Sequence, residues 1–273
     1  MALYNKIMLE LYLLYLVLGA FAGLLAGLLG IGGGLVIVPM LNIAFEWQNF
    51  PEVHIQHVAL GTSLATIIFT SISSMRAHHK RGAINYTAFW RLTPGIVTGT
   101  YLGAWFAALL PTGFLKALFG SFLYYVATQM LMGLKTESSR QLPGLPGTFG
   151  VGNVIGVFSA LVGIGGGTLT VPFLSWCNQT MHVAIATAAA VGLPIALAGT
   201  AGFVVNGMGV DGIPGPHIGY VYIPAFLGII ATSMLTAPLG AKLAHSLPVA
   251  KLKRVFAILL FVVGTKMLWS AFM

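Results

Sequence analysis

The sequence predicts an all-α polytopic membrane protein of about eight transmembrane helices, built from two internal repeats. Three observations predict it. The 273 residues are 58% hydrophobic and 7% charged, whereas a soluble domain carries about a quarter charged residues. Apolar stretches longer than the roughly 18–20 residues that cross a bilayer recur along the chain. The string Gly-Ile-Gly-Gly-Gly occurs twice, at 30–34 and 163–167, each copy followed five residues later by a proline, Pro39 or Pro172.

Taken in order, the first apolar run covers 8–31 and continues after the glycines as a short segment, 33–45. Lys6, the apolar stretch from Leu11 to Leu18, and Ala20 and Ala22 resemble a signal peptide. The run passes beyond that point into the glycine string, and its counterpart in the second half is internal, so a first transmembrane helix is expected. Spans at 57–75, 88–110 and 113–134 follow, then 149–176, 181–205, 219–244 and 250–272. Backbone groups at bilayer depth must be satisfied within the segment, which favours helices. A membrane β-barrel would show short strands alternating polar and apolar residues, and these runs are continuous.

The halves align in three blocks. Residues 23–39 match 156–172 at a shift of 133, His57 to Thr62 match His182 to Thr187 at 125, and Gly103 and Pro111 match Gly240 and Pro248 at 137. The chain therefore divides into a first repeat, 1–134, a linker, 135–148, and a second repeat, 149–273. The change of shift from 133 to 125 places an eight-residue insertion in the loop around Glu46 to Glu52. The net charge of +8 resides in short loops, where it orients a membrane protein rather than binding nucleic acid. Arg76, Lys80, Arg81 and Arg91 mark the second connection of the first half, whereas Lys242, Lys251, Lys253 and Arg254 mark the third of the second half. Basic residues that swap between equivalent loops are what inverted repeats would show. Four full crossings per half would make the repeats parallel, so either a segment near a glycine string is re-entrant or crosses separately, or the loop charges do not report orientation.

Glycine weakens a helix and opens its backbone to close approach. A glycine-broken helix in both halves of a membrane protein points to a transporter's substrate site. All five carboxylates, Glu10, Glu46, Glu52, Glu137 and Asp211, fall at span ends or in loops. Cation carriers place acidic groups at bilayer depth, so this pattern suits an anion held by the free N–H groups of a helix that restarts after the break. The bland alternative is close helix packing. A nucleotide-binding loop is excluded by the missing Lys-Ser/Thr and the membrane-spanning flanks. Cys177 stands alone, which excludes an internal disulfide and a thiolate metal site. No cofactor, metal or catalytic pair is expected, and the chain is read as a non-enzyme.

The duplicated Gly-Ile-Gly-Gly-Gly with its proline, followed by His-Val-Ala-x-x-Thr at His57 and His182, resembles the TauE/SafE family over nearly the whole chain. That resemblance implies a multi-pass bacterial inner-membrane transporter of sulfite, sulfoacetate or a related organosulfonate.

The expected substrate-binding residues are Gly30, Gly32, Gly33, Gly34, Gly163, Gly165, Gly166 and Gly167, with the hydroxyls of Thr62, Ser63 and Thr187 nearby. Interhelical hydrogen bonding is the commoner use of such hydroxyls. His57 and His182 offer proton coupling or an anion contact, against a role in capping helix ends. Asn42 and Asn178 are polar linings or turns. The expected partners are a small sulfur-containing anion and the lipid bilayer, with room for a homo-oligomer. Without an ATP-binding motif, a negative interior drives anion export by about 2.3 kcal/mol per charge per 100 mV. The rivals are proton-coupled uptake of an oxyanion such as thiosulfate, and a non-transporting scaffold subunit.

Overall fold

The computed structural model describes residues 2–29, 33–132, 140–246 and 249–272, with side chains described outside 2–9, 26–29, 238 and 240–253. Among the described residues ten helices follow in order: α1 Ala2–Leu29, α2 Gly34–Trp47, α3 Glu52–Lys80, α4 Tyr86–Leu109, α5 Thr112–Met132, α6 Leu145–Val162, α7 Gly167–Trp176, α8 Met181–Gly207, α9 Ile223–Ser246 and α10 Val249–Phe272. The second-half connection between α8 and α9 is not a plain loop. It holds a two-stranded antiparallel hairpin, β1 His217–Ile218 and β2 Val221–Tyr222, so the fold is nearly rather than wholly α.

Eight of these helices have 18 residues or more, and Glu52–Lys80, Leu145–Val162, Met181–Gly207 and Arg254–Phe272 are also apolar enough to cross a membrane by composition. Helices α2 and α7, with 14 and 10 residues, span about 21 and 15 Å, short of the roughly 30 Å hydrocarbon core. The expected single span over 149–176 is thus two helices, α6 and α7, parted at 163–166.

Helices α3 and α8 pack together at the centre, with α1 on α9, α4 on α6 and α5 on α10. The contacts are made by glycine, because helices in lipid associate through close van der Waals approach. Gly95, Gly99 and Gly103 of α4 press on Phe149, Asn153 and Val157 of α6, so these helices run parallel. Gly19 and Gly23 of α1 press in the same sense on Ile229 and Ser233 of α9. Gly61 of α3 meets Phe203 of α8, and Ser71 meets Gly192, so that pair is antiparallel. Gly113 and Gly120 of α5 meet Ala271 and Leu268 of α10, also antiparallel.

The eight inserted residues are not an enlarged loop. Helix α2 is four residues longer than α7 (14 against 10). His57 lies five residues into α3 from Glu52, whereas His182 lies one residue into α8 from Met181, a further difference of four. The insertion is therefore one extra helical turn on each limb of the α2–α3 hairpin. Both hairpins still turn on an asparagine with positive φ, Asn49 at 55° and Asn178 at 61°. The added turn carries Glu46, whose carboxylate meets Lys116 of α5 at 3.2 Å and Lys266 of α10 at 3.5 Å. Lys116 is buried and also donates to Ser270 Oγ at 2.8 Å.

Candidate functional site

The two short helices start alike. Gly33 caps the start of α2 with φ 73° and Gly166 caps α7 with φ 74°, while Gly163 closes α6 with φ 69°. These left-handed conformations are strained for residues with a Cβ. The carbonyl of Gly33 accepts from the amides of Val36 and Ile37, both at 3.0 Å, and that of Gly166 accepts from Leu169 at 3.1 Å and Thr170 at 2.8 Å. The amides of Gly34 and Leu35, and of Gly167 and Thr168, precede any intrahelical acceptor and form the positive end of each short helix.

The breaks touch. A Cβ at Gly34 would stand 2.6 Å from the carbonyl oxygen of Gly163 and 3.0 Å from Ile164 Cα. One at Gly163 would stand 2.9 Å from Val38 Cγ2 and 2.8 Å from Leu60 Cδ2. Ser63 Oγ donates to the same Gly163 carbonyl at 2.9 Å. Gly165 faces Gly192, and Gly166 lies against Ile195, both near the middle of α8. The described residues of the two strings, with Ser63, therefore form one buried junction against the central helices. Gly30 and Gly32 lie outside the described residues.

Thr62 and Thr187 have other partners. Thr62 Oγ1 accepts the Tyr222 amide at 3.0 Å, and Thr187 Oγ1 accepts the Asn85 amide at 2.9 Å. Asn85 and Tyr222 each precede a helix, α4 or α9, and are themselves 137 residues apart. Each threonine thus ties the start of the opposite half's helix to the centre. His57 Nε2 lies 3.0 Å from the Ala107 carbonyl and 3.2 Å from that of Leu110, at the end of α4, and its ring stacks on Tyr220. That end is the negative pole of α4, which suits an imidazole N–H rather than an anion. His182 is exposed at the start of α8. Asn42 Nδ2 donates to the Val38 carbonyl of its own helix at 3.0 Å.

Three hydroxyls beside the second break escaped the sequence reading. Ser159 and Thr170 are fully buried, Thr168 is 9% exposed, and all three oxygens are without a hydrogen-bond partner. Leaving a buried hydroxyl unpaired costs about 1–3 kcal/mol, so such a cluster is informative. The signal was present as a mismatch between the halves, since Leu35 and Ile37 stand where the second half has Thr168 and Thr170. Among the described residues no Asp or Glu is buried. An apolar groove of about 540 Å³ lies between α5, α6 and α7, lined by Phe122, Val154, Phe158, Leu169 and Phe173 among others. It lacks the polar groups a small anion needs.

A family model described as sulfite exporter TauE/SafE matches residues 15–267. A "Probable membrane transporter protein" of Haemophilus influenzae is 40% identical over 93% of this chain and 97% of its own length. A similarly named protein of Methanocaldococcus jannaschii is 30% identical over 93% of this chain and 94% of its own. YunE of Bacillus subtilis, also named a probable membrane transporter protein, is 26% identical over 95% and 98%. No solved structure matches the chain.

Proposed function

Because the chain belongs to the TauE/SafE family and is a membrane transporter, we propose that it is a secondary exporter of small sulfur-containing anions, sulfite or organosulfonates, across the bacterial inner membrane. The observation that carries this reading is the junction of the two breaks, where Gly34 rests on the Gly163 carbonyl. Two short helices begin there with free amides in a buried region without carboxylates among the described residues. Such a place favours an oxyanion over a cation.

Alternating access requires two halves able to rock about that junction. The helix pairs support inverted repeats. Helix α1 packs parallel to α9 as α6 does to α4, while α3 with α8 and α5 with α10 run antiparallel. With the two-residue turn joining α4 to α5 reversing the chain, these pairings set long helices of one half against their counterparts in the other. This arrangement gathers Arg76, Lys80, Arg81, Arg91 and Arg254 at one end of the bundle. Lys116 and Lys266 lie at the other, paired with Glu46. The positive-inside rule makes the first end cytoplasmic.

Export is favoured over proton-coupled uptake because His57 is engaged with the α4 carbonyls. The test is efflux of labelled sulfite or sulfoacetate from proteoliposomes under an imposed potential. A negative interior accelerates efflux if the account holds. No flux at either polarity sinks it for these cargoes.

A further inference from the structure

We propose that the protein has a single seat for the SO3 face of its substrate, on the second break alone, formed by the hydroxyls of Ser159, Thr168 and Thr170 with the amides that open α7. This rests on the transporter reading above and names the groups that hold the cargo.

Thr170 Oγ1 and Ser159 Oγ lie 3.5 and 3.6 Å from the point where a Cβ on Gly166 would stand. Both residues are fully buried, and neither oxygen has a hydrogen-bond partner. Thr168, in the first turn of α7, is in the same condition at 9% exposure. Buried hydroxyls find partners in folded proteins as a rule. Three that lack one beside a helix start, next to a glycine covered only by the flexible end of the Ile195 side chain, indicate a ligand with several acceptor oxygens.

Among the described residues the first break shows no such set. At the shift of 133 its residues are Ala26, Leu35 and Ile37, and Leu35 and Ile37 are buried hydrocarbon. Its described contact with the other half is a packing one, Gly34 against Gly163. The duplicated motif thus has divided labour: one copy binds and the other supports.

The chemistry follows from the donors. Lys116 and His57 are the cationic or titratable side chains among the buried polar groups described, and both are engaged elsewhere. Recognition is by neutral N–H and O–H groups, so three oxygens on one sulfur match the seat better than the two of a carboxylate. What is attached to the fourth position of the sulfur is left unread, which suits a site shared by sulfite and sulfonates.

The test uses the full-length protein in proteoliposomes with labelled sulfite, and unlabelled methanesulfonate and acetate as competitors. Thr168→Val with Thr170→Val preserves shape and removes two hydroxyls. It should raise KM by about tenfold or more, the scale of one or two lost hydrogen bonds to a charged ligand. Thr168→Ser with Thr170→Ser should recover most of that loss. Ile37→Val, at the matching depth of the first break, should leave KM unchanged. Methanesulfonate should compete and acetate should not. An unchanged KM in the folded double valine variant, checked by its melting temperature and monodispersity, overturns the seat and leaves the transporter reading standing. If the wild type neither moves nor binds sulfite and methanesulfonate, that reading falls and the seat with it.

Discussion

Gly34 lies on Gly163, so close that a side chain at 34 would have to displace the Gly163 carbonyl oxygen, 2.6 Å from its Cβ. Gly34→Val should therefore separate the two breaks and abolish transport, or prevent folding altogether. Gly34→Ala should lower the melting temperature and slow flux. Gly150→Ala is the control: nothing lies within 4 Å of its Cβ, and alanine is the better helix former by about 0.5–1 kcal/mol. Thermal melting and flux of purified variants check all three.

The α4–α6 contact should be equally intolerant at a distance from the junction. A Cβ at Gly99 would stand 2.6 Å from Asn153 Cα, and one at Gly156 would stand 2.5 Å from the Ile96 carbonyl. Gly99→Leu and Gly156→Leu should each destabilise the protein by about 2 kcal/mol or more, through forced backbone separation. Detergent-solubilised yield and melting temperature measure the loss.

Glu46 holds two lysines of unequal burial, with Lys116 side-chain exposure 7% and that of Lys266 49%. Glu46→Gln leaves Lys116 buried without its counter-charge and should cost about 3 kcal/mol. Lys266→Met should change stability by less than about 1 kcal/mol, as exposed ion pairs do. A double-mutant cycle between Glu46 and Lys116 reads the coupling directly.

His57→Gln should lower stability by loosening the end of α4, where the imidazole meets the Ala107 and Leu110 carbonyls. The pH dependence of transport should keep its shape. A flattened pH profile would show instead that His57 carries a coupled proton.

The breaks were legible in the sequence because four glycines in five residues between apolar flanks leave a helix little choice. The two-repeat reading rests on glycines and prolines that recur in order. The hairpin extension was not legible, because a change in alignment shift counts residues without saying whether they lengthen a loop or add a turn to each of two helices. Thr62 and Thr187 were expected at the substrate, yet their acceptors capture the amides of Tyr222 and Asn85. Those partners lie 160 and 102 residues away, a distance no local pattern reports. Ser159, Thr168 and Thr170 are not marked by the repeat, because Ala26, Leu35 and Ile37 stand in their places in the first half.

The most direct test of the junction is a structure determined with sulfite bound at saturating concentration. The account predicts one anion per chain beside Gly166, within hydrogen-bond distance of the Gly167 and Thr168 amides. An anion bound in ordered density at any other place in the bundle, with this junction packed shut, would contradict it.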